Sequence, residues 1–167
     1  GFIKGRSMQD CICIASECTN YLNRNTRVCN IDIKLDIRKA FDTIDWTFIF
    51  KVLQAFGFNN SFISRINTLF SSANISILIN GATKDYFKCN KGVRNGDPLS
   101  SIPFSIIEDY LSRLLSQLVD QNKLKPIQVS RNINVPTHLL YADDIILFLQ
   151  GGKRNVQTLK NSLSHYE

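Results

Sequence analysis

Residues 139–149 read Leu-Leu-Tyr-Ala-Asp-Asp-Ile-Ile-Leu-Phe-Leu. Tyr141-Ala142-Asp143-Asp144 interrupts two apolar runs, Leu139-Leu140 and Ile145 to Leu149, so the stretch predicts a hairpin with two adjacent carboxylates at its tip. Like charges held this close resist joint ionisation and repel. A divalent cation with hard oxygen ligands relieves that repulsion. The pair therefore asks for a metal, and for a third acidic ligand elsewhere in the chain.

Asp36 is the best partner. Residues 28–37 alternate around Ile31, Ile33, Leu35 and Ile37, the pattern of a half-buried strand, and Asp36 falls at its C-terminal end. If this strand lies beside the hairpin, Asp36 and Asp143 face each other across one rim of the sheet. Alone, Asp36 also reads as a helix N-cap or a surface charge. Taken together, Asp36, Asp143 and Asp144 with phosphate oxygens can hold two Mg²⁺ ions about 3.5–4 Å apart, the arrangement for in-line phosphoryl displacement. Mn²⁺ is the expected substitute.

A second constellation is Lys91-Gly92-Val93-Arg94-Asn95-Gly96-Asp97-Pro98-Leu99-Ser100. Its glycines let backbone approach a ligand closely. Asp97-Pro98 suits the N-cap and first position of a helix. Arg94 offers charge to a phosphate, and Asn95 an amide to a base edge or sugar. A plain structural turn is the competing interpretation.

The remaining elements follow from periodicity. Helices are expected over 7–23 with Ser7 as N-cap, from Asp45 or Thr43 to Gly57, over 60–71, over 98–121, and over 154–166. Pro103 predicts a kink or a later start in the long one. Ile75 to Thr83 predicts a strand entering an Asn80-Gly81 turn, with 84–90 returning. Residues 122–137 read as a connector with one short strand near Ile127-Gln128-Val129. The order is that of an α+β fold, an antiparallel sheet with helices packed on one face.

The 167 residues suffice for one domain with a sizeable core. No apolar stretch approaches the roughly 18–20 residues of a membrane span, and no signal segment is expected from the opening residues. The expected place of action is intracellular, nuclear or cytoplasmic. The net charge of +6 is consistent with a polyanionic partner. None of the five cysteines forms a C-x-x-C pair, so a zinc site is not expected. Cys11 and Cys18, on one helical face with Met8, Ile14, Ala15 and Leu22, read as small core residues.

Three blocks in order, Leu35-Asp36-Ile37-Arg38-Lys39-Ala40-Phe41-Asp42, Gly92 to Ser100, and Tyr141-Ala142-Asp143-Asp144, resemble motifs A, B and C of reverse transcriptases. The resemblance is to those of non-LTR (LINE-type) retrotransposons, plant elements most closely, and covers nearly the whole chain. The opening Gly1-Phe2-Ile3-Lys4-Gly5-Arg6 resembles the fingers block upstream, and Thr137-His138-Leu139-Leu140 also fits. The chain then reads as one domain fragment, with 1–27 partial fingers and 28–167 mainly polymerase palm. Both ends look cut, with thumb and endonuclease outside it.

The resemblance implies roles. Asp36, Asp143 and Asp144 match the metal-binding triad of an RNA-directed DNA polymerase. Phe41 matches the bulky gate that favours dNTPs over NTPs, and argues against an RNA-dependent RNA polymerase. Asn95 and Gly96 match the loop contacting incoming nucleotide and template, with Arg94 beside them. Lys4 and Arg6 match a basic region contacting template or triphosphate. The partners implied are an RNA template, a DNA primer and dNTPs. Asn95 stands where the family usually has Gln, and Ser101 where it usually has Pro. The alternative is a truncated, non-catalytic retroelement remnant that folds and binds nucleic acid electrostatically. Nothing in the sequence fixes an oligomeric state.

Overall fold

The computed structural model describes residues 7–22, 29–36, 40–93, 101–129, 135–141 and 144–163, with main chain alone at 40 and 41. The elements run α1 (Met8–Leu22), β1 (Asn30–Asp36), α2 (Ala40–Thr43), α3 (Trp46–Ala55), α4 (Asn60–Ser71), β2 (Asn74–Ile79), β3 (Ala82–Lys88), α5 (Ser101–Asp120), β4 (His138–Tyr141), β5 (Asp144–Gln150) and α6 (Lys153–Leu163). The chain divides into two compact units, Gly1–Arg38 with Glu108–Glu167, and Lys39–Ile107.

The first unit is built on a three-stranded antiparallel sheet in the order β1-β5-β4. Alternation assigns its faces. Ile31, Ile33 and Leu35 of β1 join Ile145, Leu147 and Leu149 of β5 on one face. That face packs on Leu111, Leu115 and Leu118 of α5 and Leu159 of α6, and Leu147 and Leu149 are fully buried. This is the antiparallel sheet with packed helices that the pattern predicts, although the helices are not confined to this one face. The opposite face carries a smaller cluster, in which Cys18 of α1 packs with Ile127 and Phe148.

Cys18 is thus a core residue, as expected. Its helical neighbours Met8 and Ile14 are exposed and Cys11 is half-buried, against expectation. The reason is that the contacting stripe is Ala15, Cys18, Tyr21 and Leu22, the C-terminal half of α1. Ser7 caps this helix, its Oγ accepting from Asp10 N at 3.2 Å.

The strand expected near 127–129 is instead an isolated bridge between Pro126 and Leu149. It continues the β4 edge of the sheet, with Ile127 N donating to Phe148 O at 3.2 Å and Gln150 N to Lys125 O at 3.0 Å. Proline supplies no ladder donor, which keeps the pairing short. Asn155 of α6 pins this corner. Its Oδ1 accepts from Lys125 N, and its Nδ2 donates to Lys125 O and Gln150 O.

In the second unit α3 starts where the cap chemistry says it should. Asp45 is its N-cap, accepting from Thr47 N at 2.7 Å and Phe48 N at 3.2 Å. The Asp45 carboxyl is held below the usual range, by hydrogen bonding from the Thr47 side chain first and from the Phe48 N–H next. Gly57, at φ +86°, ends the helix. Ile49, Val52 and Leu53 are buried, and Trp46 and Phe70 bring α3 and α4 together with ring centroids 5.5 Å apart. The β2–β3 hairpin turns at Asn80-Gly81, both in left-handed backbone, as an Asn-Gly hairpin demands. A bulge on β3 places Asp85 at φ +50°. α5 is described from Ser101, with Pro103 inside the helical span. No helix among the described residues is long and apolar enough to cross a membrane.

Candidate active site

The carboxylates come together through strand register. β1 pairs antiparallel with β5 so that Asp36 lies directly opposite Asp144. β4 places Tyr141 opposite Asp144 on the other side. Because side chains alternate in direction, Tyr141, Asp144 and Asp36 form one row across three strands on the face away from α5 and α6. The next row in is Leu139, Ile146 and Lys34, and Phe148 and Asp32 lie beyond it. Directly opposite residues on one face have Cβ atoms about 4.5–5.5 Å apart, so two carboxylates here repel unless a cation intervenes.

A cation is present in the protein itself. Lys34 Nζ reaches diagonally across the strand pair to Asp144 Oδ1 at 2.8 Å. Its ammonium is held above the ordinary lysine range, chiefly by this hydrogen bond, then by the Asp144 charge, with a smaller contribution from Asp36. Both partners are largely in water, with side-chain exposures of 64% and 47%. Sequence reasoning missed Lys34. The signal was there, in the charged set Asp32, Lys34 and Asp36 alternating with the apolar residues of the same strand.

Asp143, Arg94, Asn95, Gly96, Lys4 and Arg6 lie outside the described residues, as does the Phe41 side chain. Phe41 itself falls within α2. Among the described residues no group of three His, Cys, Asp or Glu side chains forms a metal cage. The donor set that is described, two hard carboxylates with an ammonium drawn to one of them, suits a hard divalent cation.

Gly92, the first glycine of the second constellation, does make a close approach, but to its own chain. It sits at φ +78°, and a Cβ there would collide with the main chain of Asp42. Gly92 N donates to Ile44 O at 2.7 Å, and Trp46 Nε1 donates to Gly92 O at 2.7 Å. The same unit holds a cavity of about 510 Å³, with Trp46, Phe70, Gly92 and Pro103 in its walls.

Behind the carboxylate row, His138 of β4 turns toward α5, its Nε2 2.8 Å from Ser112 Oγ. Burial holds its imidazole below the usual histidine range. Its Nδ1 is buried with no hydrogen-bond partner among the described residues.

Comparison with known proteins bears on the family and the fold. The family described as Reverse transcriptase (RNA-dependent DNA polymerase) matches residues 1–166. The Retrovirus-related Pol polyprotein from type-1 retrotransposable element R2 of Popillia japonica is 32% identical over 115 residues, 69% of this chain and 18% of that protein. The corresponding polyprotein from type-2 element R2DM of Drosophila melanogaster is 26% identical over 152 residues, 90% of this chain and 13% of that protein. The chain thus spans less than a fifth of the length of either relative. A structure of apo telomerase from Candida tropicalis, truncated from its C-terminal domain, superimposes with a TM-score of 0.63 at 19% identity, over 95% of this chain and 32% of that one. That likeness is one of fold, and fits a polymerase palm. With the family matched along nearly its whole length and retroelement polyproteins as relatives, this chain belongs to the reverse transcriptases, in the branch of the non-LTR retrotransposons.

Proposed function

We propose that this domain is the catalytic palm of an RNA-directed DNA polymerase that adds dNTPs to a primer 3′-hydroxyl under the direction of an RNA template. The observation that carries the proposal is the pairing of Asp36 directly opposite Asp144 at the sheet rim. Nothing in the packing of the core requires two acids there.

Asp36, Asp143 and Asp144 would hold two Mg²⁺ ions, or Mn²⁺ in their place. When bound, such ions supply charge stabilisation to the attacking and leaving oxygens of a phosphoryl transfer. The chain's own contribution is rigidity. The β1–β5 ladder fixes the spacing of Asp36 and Asp144, and the buried Leu147, Phe148 and Leu149 fix the ladder. Positions so held lose little entropy when the ligand arrives.

Phe41 is the proposed gate against a ribose 2′-hydroxyl. Arg94, Asn95 and Gly96 are the proposed contacts to the incoming nucleotide and template, and Lys4 and Arg6 the proposed basic contacts at the fingers. We assign 1–27 to partial fingers and 28–167 mainly to palm. The net charge of +6 suits a polyanionic duplex held by its backbone. The proposed site of action is intracellular, in nucleus or cytoplasm.

The test is primer extension on an RNA template by a longer polypeptide carrying this domain. Asp144→Asn and Asp143→Asn should each lower extension by at least about 10²-fold while leaving the thermal midpoint nearly unchanged. Near wild-type extension by either variant refutes that residue's assignment. Preferential NTP use would move the chain to RNA synthesis and remove the role given to Phe41.

A further inference from the structure

We propose that Lys34 is the built-in counter-cation of the Asp36–Asp144 pair, and that its ammonium must leave Asp144 before a divalent ion can bind, so that Lys34 sets the metal concentration at which the site fills. The inference rests on the proposal above that these aspartates ligate metal.

Three observations carry it. Lys34 Nζ is 2.8 Å from Asp144 Oδ1, so it uses a carboxylate oxygen that a metal would need. Lys34 and Asp36 belong to one strand two residues apart, and Asp144 is the direct cross-strand neighbour of Asp36. All three side chains therefore share one face, and the ammonium is the positive charge nearest the acid pair among the described ion pairs. Finally, the bridge is solvent-exposed, with 64% of the Lys34 side chain in water. Exposed pairs of this kind are weak and exchange readily, so the lysine can act as a placeholder rather than a lock.

The same strand offers a landing place. Asp32 lies two residues on the other side of Lys34, on the same face. A displaced ammonium can swing from Asp144 toward Asp32 by rotation about its own stem. Charge near the acid pair then falls at the moment a divalent ion adds to it.

The readout is Mn²⁺ binding to the 167-residue chain, followed by the electron paramagnetic resonance of free Mn²⁺ at low ionic strength. Removing one like charge and one competitor at such range should tighten binding about tenfold in Lys34→Met. Lys34→Arg, which keeps the charge, should stay within about twofold of wild type. The gap between Lys34→Met and wild type should shrink as KCl is raised to about 0.5 M. Thermal melts without metal establish that each variant is folded.

Asp144→Asn separates the two ideas. Equal Mn²⁺ affinity in Asp144→Asn and wild type would overturn the metal-site proposal and this inference together. Weakened binding in Asp144→Asn with unchanged or weaker binding in Lys34→Met would overturn the role of Lys34 alone. Tightened binding in Lys34→Arg equal to that in Lys34→Met would also overturn it, because charge would then not be the cause.

Discussion

The indole Nε1–H of Trp46 donates to the main-chain carbonyl of Gly92 at 2.7 Å, tying the start of α3 to the segment that follows β3. Gly92 accepts this bond in a left-handed conformation, pressed against the main chain of Asp42. A side chain at 92 meets both the backbone strain and the collision. Gly92→Ala should therefore destabilise the protein by at least about 3 kcal/mol, and Trp46→Phe, which only orphans the carbonyl and trims the ring, by about 1–2 kcal/mol. Urea titrations followed by fluorescence of Tyr, and of Trp46 where retained, check the order.

Asn155 makes three hydrogen bonds while only 6% exposed, and they join α6 to the ends of β5 and the 125–127 segment. Asn155→Ala takes their Asn155 partner from Lys125 N and Gln150 O and leaves Lys125 O with Gln150 N alone, all in a closed corner. The expected cost is about 2–4 kcal/mol. Asn155→Asp should cost a comparable amount, since a carboxylate cannot donate to Lys125 O and Gln150 O. Thermal midpoints of the two variants decide this.

His138 titrates against folding. Its folded-state pKa is lowered by burial, so the neutral ring is favoured in the native protein. The stability this provides is complete above the unfolded value of about 6.5 and is lost as pH falls through the lower folded value. His138→Gln should abolish that component. The difference in urea midpoint between wild type and His138→Gln should thus shift in favour of the variant between pH 7.5 and pH 5.

Asp45 behaves in the usual carboxylate sense. Its pKa is lowered by hydrogen bonds from Thr47 and Phe48 at the start of α3. Its contribution is present above the unfolded value of about 3.9 and lost as pH falls through the folded one. At pH 7 Asp45→Ala should cost about 1 kcal/mol, whereas Asp45→Asn, still an acceptor, should cost less. Guanidinium titrations at pH 7 and pH 3 would show the Asp45→Ala difference narrowing in acid.

Much of this was legible in the amino-acid order. Ile31, Ile33 and Leu35 announced β1 by alternation, and Asn80-Gly81 announced its turn by backbone chemistry. Asp45 announced a cap. These are local signals, each set by a few neighbours. The placing of the β1 end beside the β4–β5 hairpin was also legible, because a strand end and a hairpin are natural neighbours in an antiparallel sheet. The residue found opposite Asp36 is Asp144, and Asp143, the expected one, lies outside the described residues. What escaped was what register and packing decide at long range. Asn155 looks like any polar residue of an amphipathic helix until the 125–127 segment closes over it. Lys34 looks like a solvated charge until β5 is laid alongside. Met8 and Ile14 carry the right periodicity, but the stripe of α1 that packs is Ala15, Cys18, Tyr21 and Leu22.

The strand register of β1 against β5 ties chemistry to the hydrophobic core. Moving β1 by a single position would send Leu35 into water and Asp36 among the leucines of α5, so a slipped sheet could not survive as a folded but inert protein. Selection for a well-packed interior therefore keeps the acidic edge in place at no extra cost. A copy of this element that drifts without any demand for activity should keep positions 36 and 144 opposite each other for as long as it retains its greasy centre, whichever side chains they come to carry.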